Sequence, residues 1–175
     1  SSPNTPNLRE LQKDEDLARI IGAVQQHSGN KPVLIKIAPD LEDMQIRSIV
    51  DTARGLGCAG IVATNTTIER PEEEGIMLET GGLSGRPLRQ RSTQVIRLIA
   101  DHTDGNWPII GVGGISNADD AWEKIINGAS LIQIYSAMVF QGASSIKSIV
   151  NGLDKKMKSH GFSNIEEAVG LARRV

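Results

Sequence analysis

The side chains able to do chemistry in this 175-residue chain gather in five short clusters. Ser1-Ser2-Pro3-Asn4-Thr5-Pro6 opens the chain with hydroxyls and amides set between prolines. Lys36 and Asp40 place a cation and a carboxylate in and just after an apolar run, Leu34-Ile35-Lys36-Ile37-Ala38. A lysine is almost never buried without a partner, so Lys36 is expected to present a fixed positive charge to a ligand. Thr64-Asn65-Thr66-Thr67 concentrates donors and acceptors suited to a polar, planar ligand. Gly111-Val112-Gly113-Gly114-Ile115-Ser116 has the glycines that let backbone approach an anion at a helix start, and Tyr135-Ser136 offers a second phosphate-competent turn. Each cluster has a plainer reading: turn and cap chemistry for the Ser, Thr and Asn residues, a tight turn for the glycines, a solvated edge-strand lysine for Lys36.

What must position these groups is a set of short apolar runs at 33–37, 60–63, 109–112 and 131–135. They are rich in β-branched residues, near-continuous and bounded by Gly, Pro, Asn or Ser, the pattern of parallel strands buried on both faces. Helical spacing covers 8–26, 43–56, 89–100, 118–126 and 144–159, with Gly57 as a C-terminal cap and lysines closing the last helix. Alternating strand and helix predicts right-handed β/α units on a parallel sheet. The chemical clusters fall at successive strand ends, whereas an open doubly wound sheet would gather them at one crevice. The fold class expected is therefore a (β/α)8 TIM barrel, of which four strands with their helices make about the second half. The connection 68–86 is long and polar, with the acidic run Glu72-Glu73-Glu74, read as a solvated face, and the glycine-rich Gly81-Gly82-Leu83-Ser84-Gly85.

Bulk properties narrow the function classes. The net charge is −2, which offers no electrostatic reason for a nucleic-acid partner. One cysteine, Cys58, excludes an intramolecular disulfide framework, fits a reducing compartment and reads as a small buried hydrophobe. No apolar run reaches the roughly 20 residues of a membrane helix. His27, His102 and His160 lack metal-ligand spacing and sit at no strand end, so neither a metal site nor a Ser-His-Asp hydrolase is expected. The Asn65-Thr66-Thr67 sequon closes a strand and is read as accidental. A loaded loop at position 1 with no initiator Met suggests a chain processed or cut from a longer one.

Taken in order, SSPNTPNLRELQ, KIAPDL, ATNTT, GGLSGRPL, IIGVGGI and IQIYSA closely resemble the dihydroorotate dehydrogenases, specifically their class 2, quinone-dependent form. The resemblance runs from residue 1 to GFSNIEEAVG near the C-terminus, and six ordered motifs make it specific. It implies a TIM barrel around FMN that oxidises dihydroorotate to orotate in pyrimidine synthesis, with quinone as the electron acceptor. It implies that Ser2 is the catalytic base; class 1 members carry a cysteine there. By the same resemblance Asn4, Asn65 and Thr66 hydrogen-bond the orotate ring, and Lys36 lies against the isoalloxazine as preorganised positive charge for the reduced, anionic ring. Thr64, Gly85, Gly114, Tyr135 and Ser136 would contact FMN and its phosphate. The family's first four strands, and the N-terminal extension that meets membrane and quinone, are then expected outside residues 1–175. The expected location is the cytoplasmic side of a cell inner membrane, peripherally held, with the mitochondrial inner membrane as the alternative. Two rival readings are a non-flavin phosphate-binding barrel enzyme and an inactive half-barrel fragment.

Overall fold

In the computed structural model, which describes residues 1–5, 7–70 and 80–174, four strands form one parallel sheet in the order β1-β2-β3-β4. They are β1 (Leu34–Ile37), β2 (Gly60–Ala63), β3 (Ile109–Val112) and β4 (Leu131–Gln133). The register aligns Ile35, Ile61 and Ile109 in one row and Ile37, Ala63, Gly111 and Ile132 in the next. These rows face the helices, because alternate side chains of a strand share a face. The intervening row, Lys36, Val62, Ile110 and Leu131, points the other way.

The helices are α1 (Asp14–Ser28), α2 (Asp43–Gly55), α3 (Arg89–His102), α4 (Ala118–Ile126), α5 (Ser136–Gln141) and α6 (Ser144–Ser159). Helix α2 starts with a reciprocal capping box between Glu42 and Gln45, and Asn117 caps α4 by accepting from the Asp120 N–H. Ile46, Ile49 and Val50 of α2 and Val95, Ile96 and Ile99 of α3 meet the helix-facing strand rows in one core. Ile61 and Ile99 are completely buried there, each contributing about 1.5–3 kcal/mol by leaving water. Smaller apolar clusters pack α4 and α6, around Ala121 with Ile149 and around Trp122 with Ala168. Cys58 is buried as expected.

Three expectations need correction. The strands are not buried on both faces: β1 alternates, with Leu34 and Lys36 exposed, and β4 exposes Leu131 and Gln133. Helices cover only one face of the sheet in these residues, so continuous apolar runs produce alternating burial. The segment 8–26 is not one helix. Leu8–Gln12 is a 3-10 turn, Lys13 is extended at ψ 142, and α1 begins at Asp14. Gln12 breaks it by a long-range bond, its Oε1 accepting from the Ala38 N–H at 2.9 Å. Finally, the fourth strand stops at Gln133, and Ser136 starts α5, a six-residue helix closed by Gly142. The run Glu72-Glu73-Glu74 lies outside the described residues.

Candidate functional site

The C-terminal ends of all four strands open into one cleft of about 930 Å³. Eight of the ten sequence-predicted site residues line it: Lys36, Thr64, Asn65, Thr66, Gly85, Gly114, Tyr135 and Ser136. The ladder places the β2 end rigidly. The Thr64 N–H donates to the Val112 carbonyl at 2.9 Å and the Asn65 N–H to the Ile37 carbonyl at 2.8 Å, so the residues after β2 are pinned between β1 and β3. Thr64 is buried, and its hydroxyl donates to the Asn65 carbonyl at 3.0 Å. The Asn65 Oδ1 accepts from the Thr66 N–H at 2.8 Å, which orients the amide. Lys36 of β1 is exposed on the open face of the sheet and lines the cleft.

Ser2 and Asn4 lie beside the cleft rather than in its wall. The Ser2 Oγ accepts from the Asn4 N–H at 3.2 Å. The Asn65 Nδ2 donates to the Ser1 Oγ at 3.0 Å, and the Asn4 Oδ1 accepts from the Gly82 N–H at 3.0 Å. The opening loop is thereby tied to the end of β2 and to the glycine-rich segment. Gly82 marks how tight that junction is: a Cβ there would sit 1.9 Å from Thr66 Oγ1 and 2.7 Å from Pro3 Cγ. The same segment is pulled toward β2 by paired backbone bonds between Thr67 and Leu83.

The glycines after β3 have a packing cause in addition to the ligand and turn readings the sequence suggested. A Cβ on Gly113 would come within 2.8 Å of Ser92 Cβ, and one on Gly114 within 2.7 Å of the Arg89 Cα. Both have positive φ, 129° and 69°. Close packing of the loop on the start of α3 therefore requires glycine here, whatever ligand the cleft takes. The loop is held further by Asp120, buried at 3% exposure, whose Oδ2 accepts from the Ser116 hydroxyl at 2.7 Å and the Ser116 N–H at 2.9 Å. Its Oδ1 pairs with Arg89 Nη1 at 2.5 Å. Burial pushes the Asp120 carboxyl up, but the Ser116 bonds and then the Arg89 guanidinium outweigh it and hold it below the usual carboxylate range. Behind this lies Lys124, fully buried, with Nζ donating to the Arg89 carbonyl at 2.7 Å and to Thr93 Oγ1 at 2.6 Å. Burial draws its ammonium down to about 7.

Several contributors escaped sequence reasoning. Ser84 shares a 2.9 Å hydrogen bond with Ser136, joining the glycine-rich segment to the start of α5; it sat in the quoted motif without a role. Phe140 and Gln141 of α5 and Gln133 of β4 also line the cleft. Arg9 and Asp120 act through partners 31 residues away, Asp40 and Arg89, which no local spacing announces. Among the described residues no group of three or more His, Cys, Asp or Glu side chains could hold a metal.

Comparison with known proteins places this arrangement. The family model for dihydroorotate dehydrogenase matches residues 1–157. A protein named dihydroorotate dehydrogenase (quinone) from Trichodesmium erythraeum is 48% identical over 184 residues, covering 99% of this chain and 49% of that protein. Proteins of the same name from Crocosphaera subtropica and Halobacterium salinarum are 50% and 48% identical, covering 98% and 97% of this chain and 48% of each relative. The chain spans about half the length of the curated relatives it matches. The crystal structure of DHODH from Eimeria tenella in complex with ferulenol superposes with a TM-score of 0.92 at 37% identity, covering 100% of this chain and 53% of that one. Its ligand-free counterpart gives the same TM-score. The sheet is thus four β/α units of the TIM-barrel type, and a chain that matches over this much of its length, with its motif residues converging on one cleft, belongs to the dihydroorotate dehydrogenase family.

Proposed function

We propose that the protein to which these residues belong oxidises dihydroorotate to orotate in pyrimidine synthesis, using FMN and passing the electrons to a quinone. The observation that carries this reading is the convergence of eight motif residues from four strand ends on one cleft, with the Ser2 loop tied to its substrate end. The residues fit FMN. A cleft of about 930 Å³ has the size of a cofactor site. Lys36 would face the ring system, Thr64 and Gly85 would flank it, and Gly114, Tyr135 and Ser136 would take the phosphate end. When bound, FMN supplies the hydride acceptor.

The chain's own residues supply orientation and a base. Asn65, its N–H held by the Ile37 carbonyl, and Thr66, its N–H held by the Asn65 Oδ1, would hold the substrate ring, with Asn4 closing over it from the loop. Ser2 would take the proton from the substrate carbon next to the one losing hydride. The Asn4 N–H bonded to its oxygen favours negative charge there. A serine hydroxyl is a weak base at neutral pH, so its own proton must leave as it accepts another, through water or a neighbouring hydroxyl such as Thr5. Lys36 contributes fixed positive charge where electron density accumulates. In this reading the barrel's other strands and the membrane-associating extension lie outside residues 1–175, and these residues alone are inactive. Use of quinone brings the protein to an inner membrane peripherally; among the described residues no helix is long and apolar enough to cross one.

Ser2→Ala in the full-length enzyme tests the reading. It should retain FMN, seen as flavin absorbance, while anaerobic reduction of the flavin by dihydroorotate slows about 10²- to 10⁴-fold. Undiminished reduction would remove Ser2 from the role of base.

A further inference from the structure

Asp40 was conspicuous in the sequence beside Lys36, yet nothing above gives it work. It follows β1 and does not line the cleft. Its carboxylate nevertheless gathers three segments. Oδ2 pairs with Arg9 Nη1 at 2.6 Å and accepts from the Ile68 N–H at 3.2 Å, while Oδ1 accepts from the Thr67 hydroxyl. Arg9 spends its other terminal nitrogen on the Thr66 carbonyl at 3.0 Å. Its backbone carbonyl accepts from the Gln12 amide at 3.2 Å, and that amide's oxygen holds the Ala38 N–H. Both partners of the ion pair are largely buried, with side chains 22% and 11% exposed.

The geometry of this knot is specific. Arg9 lies seven residues after Ser2, just past Asn7 in the left-handed conformation at φ 61°. On the other side Asp40 and Arg9 together fix Thr66 and Thr67, which carry the substrate end of β2. The loop's other ties, Ser1 to Asn65 and Asn4 to Gly82, are single neutral hydrogen bonds. A charged, forked contact is stronger and more directional than these.

We propose that Asp40, acting through Arg9, is a positioning residue that sets the distance between the Ser2 loop and the substrate held by Asn65 and Thr66. This rests on the functional reading above. It requires a split effect. Misplacing a reacting group by about 1 Å costs on the order of a hundredfold in rate, so the step that uses Ser2 should suffer. Flavin binding, which this reading gives to Thr64, Gly85, Gly114, Tyr135 and Ser136, and reoxidation, which does not use Ser2, should not.

The test is Asp40→Asn in the full-length, FMN-loaded enzyme, with each half-reaction followed by stopped flow. Flavin reduction by dihydroorotate should slow about 10- to 100-fold. Reoxidation by quinone and the flavin-to-protein ratio should stay within twofold of wild type, about a 0.4 kcal/mol difference. Amide exchange at Gly82, whose N–H reports the Asn4 contact, should quicken at least about fivefold as the loop opens locally. Asp40→Glu, which keeps a carboxylate, should recover part of the reduction rate. If Asp40→Asn fails to fold, Arg9→Lys keeps the charge but surrenders one arm of the fork, and should show the same split more weakly. Equal slowing of both half-reactions, or reduction at the wild-type rate, would overturn the proposal while leaving the functional reading intact. A wild-type enzyme whose flavin dihydroorotate does not reduce would overturn both.

Discussion

A lysine with no solvent exposure makes the most quantitative prediction. Lys124 places its amine between the Arg89 carbonyl and Thr93 Oγ1, at 2.7 and 2.6 Å, and burial lowers its pKa from 10.5 to about 7. The neutral amine can satisfy both acceptors, so the fold has little use for the charge. In the unfolded chain the group titrates at its ordinary value. Between pH 7 and 10.5 the unfolded state therefore binds a proton that the folded state does not, and stability rises with pH across that window. Below pH 7 both states hold the proton, and the cost of the buried charge is fully present and constant. The difference of 10.5 minus about 7, at about 1.4 kcal/mol per unit, amounts to about 5 kcal/mol over the whole window. Lys124→Met fills similar volume and abolishes this dependence. Unfolding free energies from urea denaturation of the full-length wild type and Lys124→Met, taken from pH 7.5 to 9.5, should diverge by about 3 kcal/mol in favour of wild type as pH rises. At pH 6 the variant should be equal to or more stable than wild type, because a buried charge has been removed together with its two bonds. Parallel pH profiles would refute the reasoning and show that the amine stays charged in the native state.

Two further outcomes follow from close approaches of backbone. Gly114→Ala should lower the flavin-to-protein absorbance ratio of the purified full-length enzyme at least about tenfold, since φ 69° and contact with the Arg89 backbone leave no room for a Cβ without moving the loop. Gly82→Ala should leave FMN content unchanged but raise KM for dihydroorotate by about tenfold in steady-state assays, because its Cβ would displace Thr66 and Pro3.

The strands were legible because burial leaves a compositional trace: Leu-Ile-Lys-Ile, Gly-Ile-Val-Ala and Ile-Ile-Gly-Val hold more β-branched residues than a short helix would. The cleft-lining positions were legible for a related reason, since polar or glycine-rich clusters recur directly after successive strand runs. What remained illegible was non-local. Residues 8–26 have good helical spacing, but Gln12 bonds to Ala38, 26 residues on, and that bond ends the first turn. Helix α5 has only six residues, too few for a periodic signal, and only Gly142 marks its end. The glycines at 113 and 114 were recognised as cleft residues, but their packing on Ser92 and Arg89 was not foreseen. Sequence shows that side chains are missing there, but not which neighbour would have met them.

The two halves of the site are held by different forces, and this decides how each responds to change. Thr64 and Asn65 inherit their positions from backbone bonds to Val112 and Ile37, inside the sheet. Moving them means breaking the ladder, so substitutions beneath them should register first as lost stability. The Ser2 loop has no such lattice. It is placed by side chains, through Ser1 on Asn65, Asn4 on Gly82 and Arg9 on Asp40. Each such contact is worth only about 0.5–3 kcal/mol net, small beside the core but large on the scale of a rate, where about 1.4 kcal/mol is tenfold. Loosening the tethers should therefore cost rate long before it costs fold. The base of the proposed reaction sits on the more weakly held half, which is where motion that admits substrate and releases product would be needed.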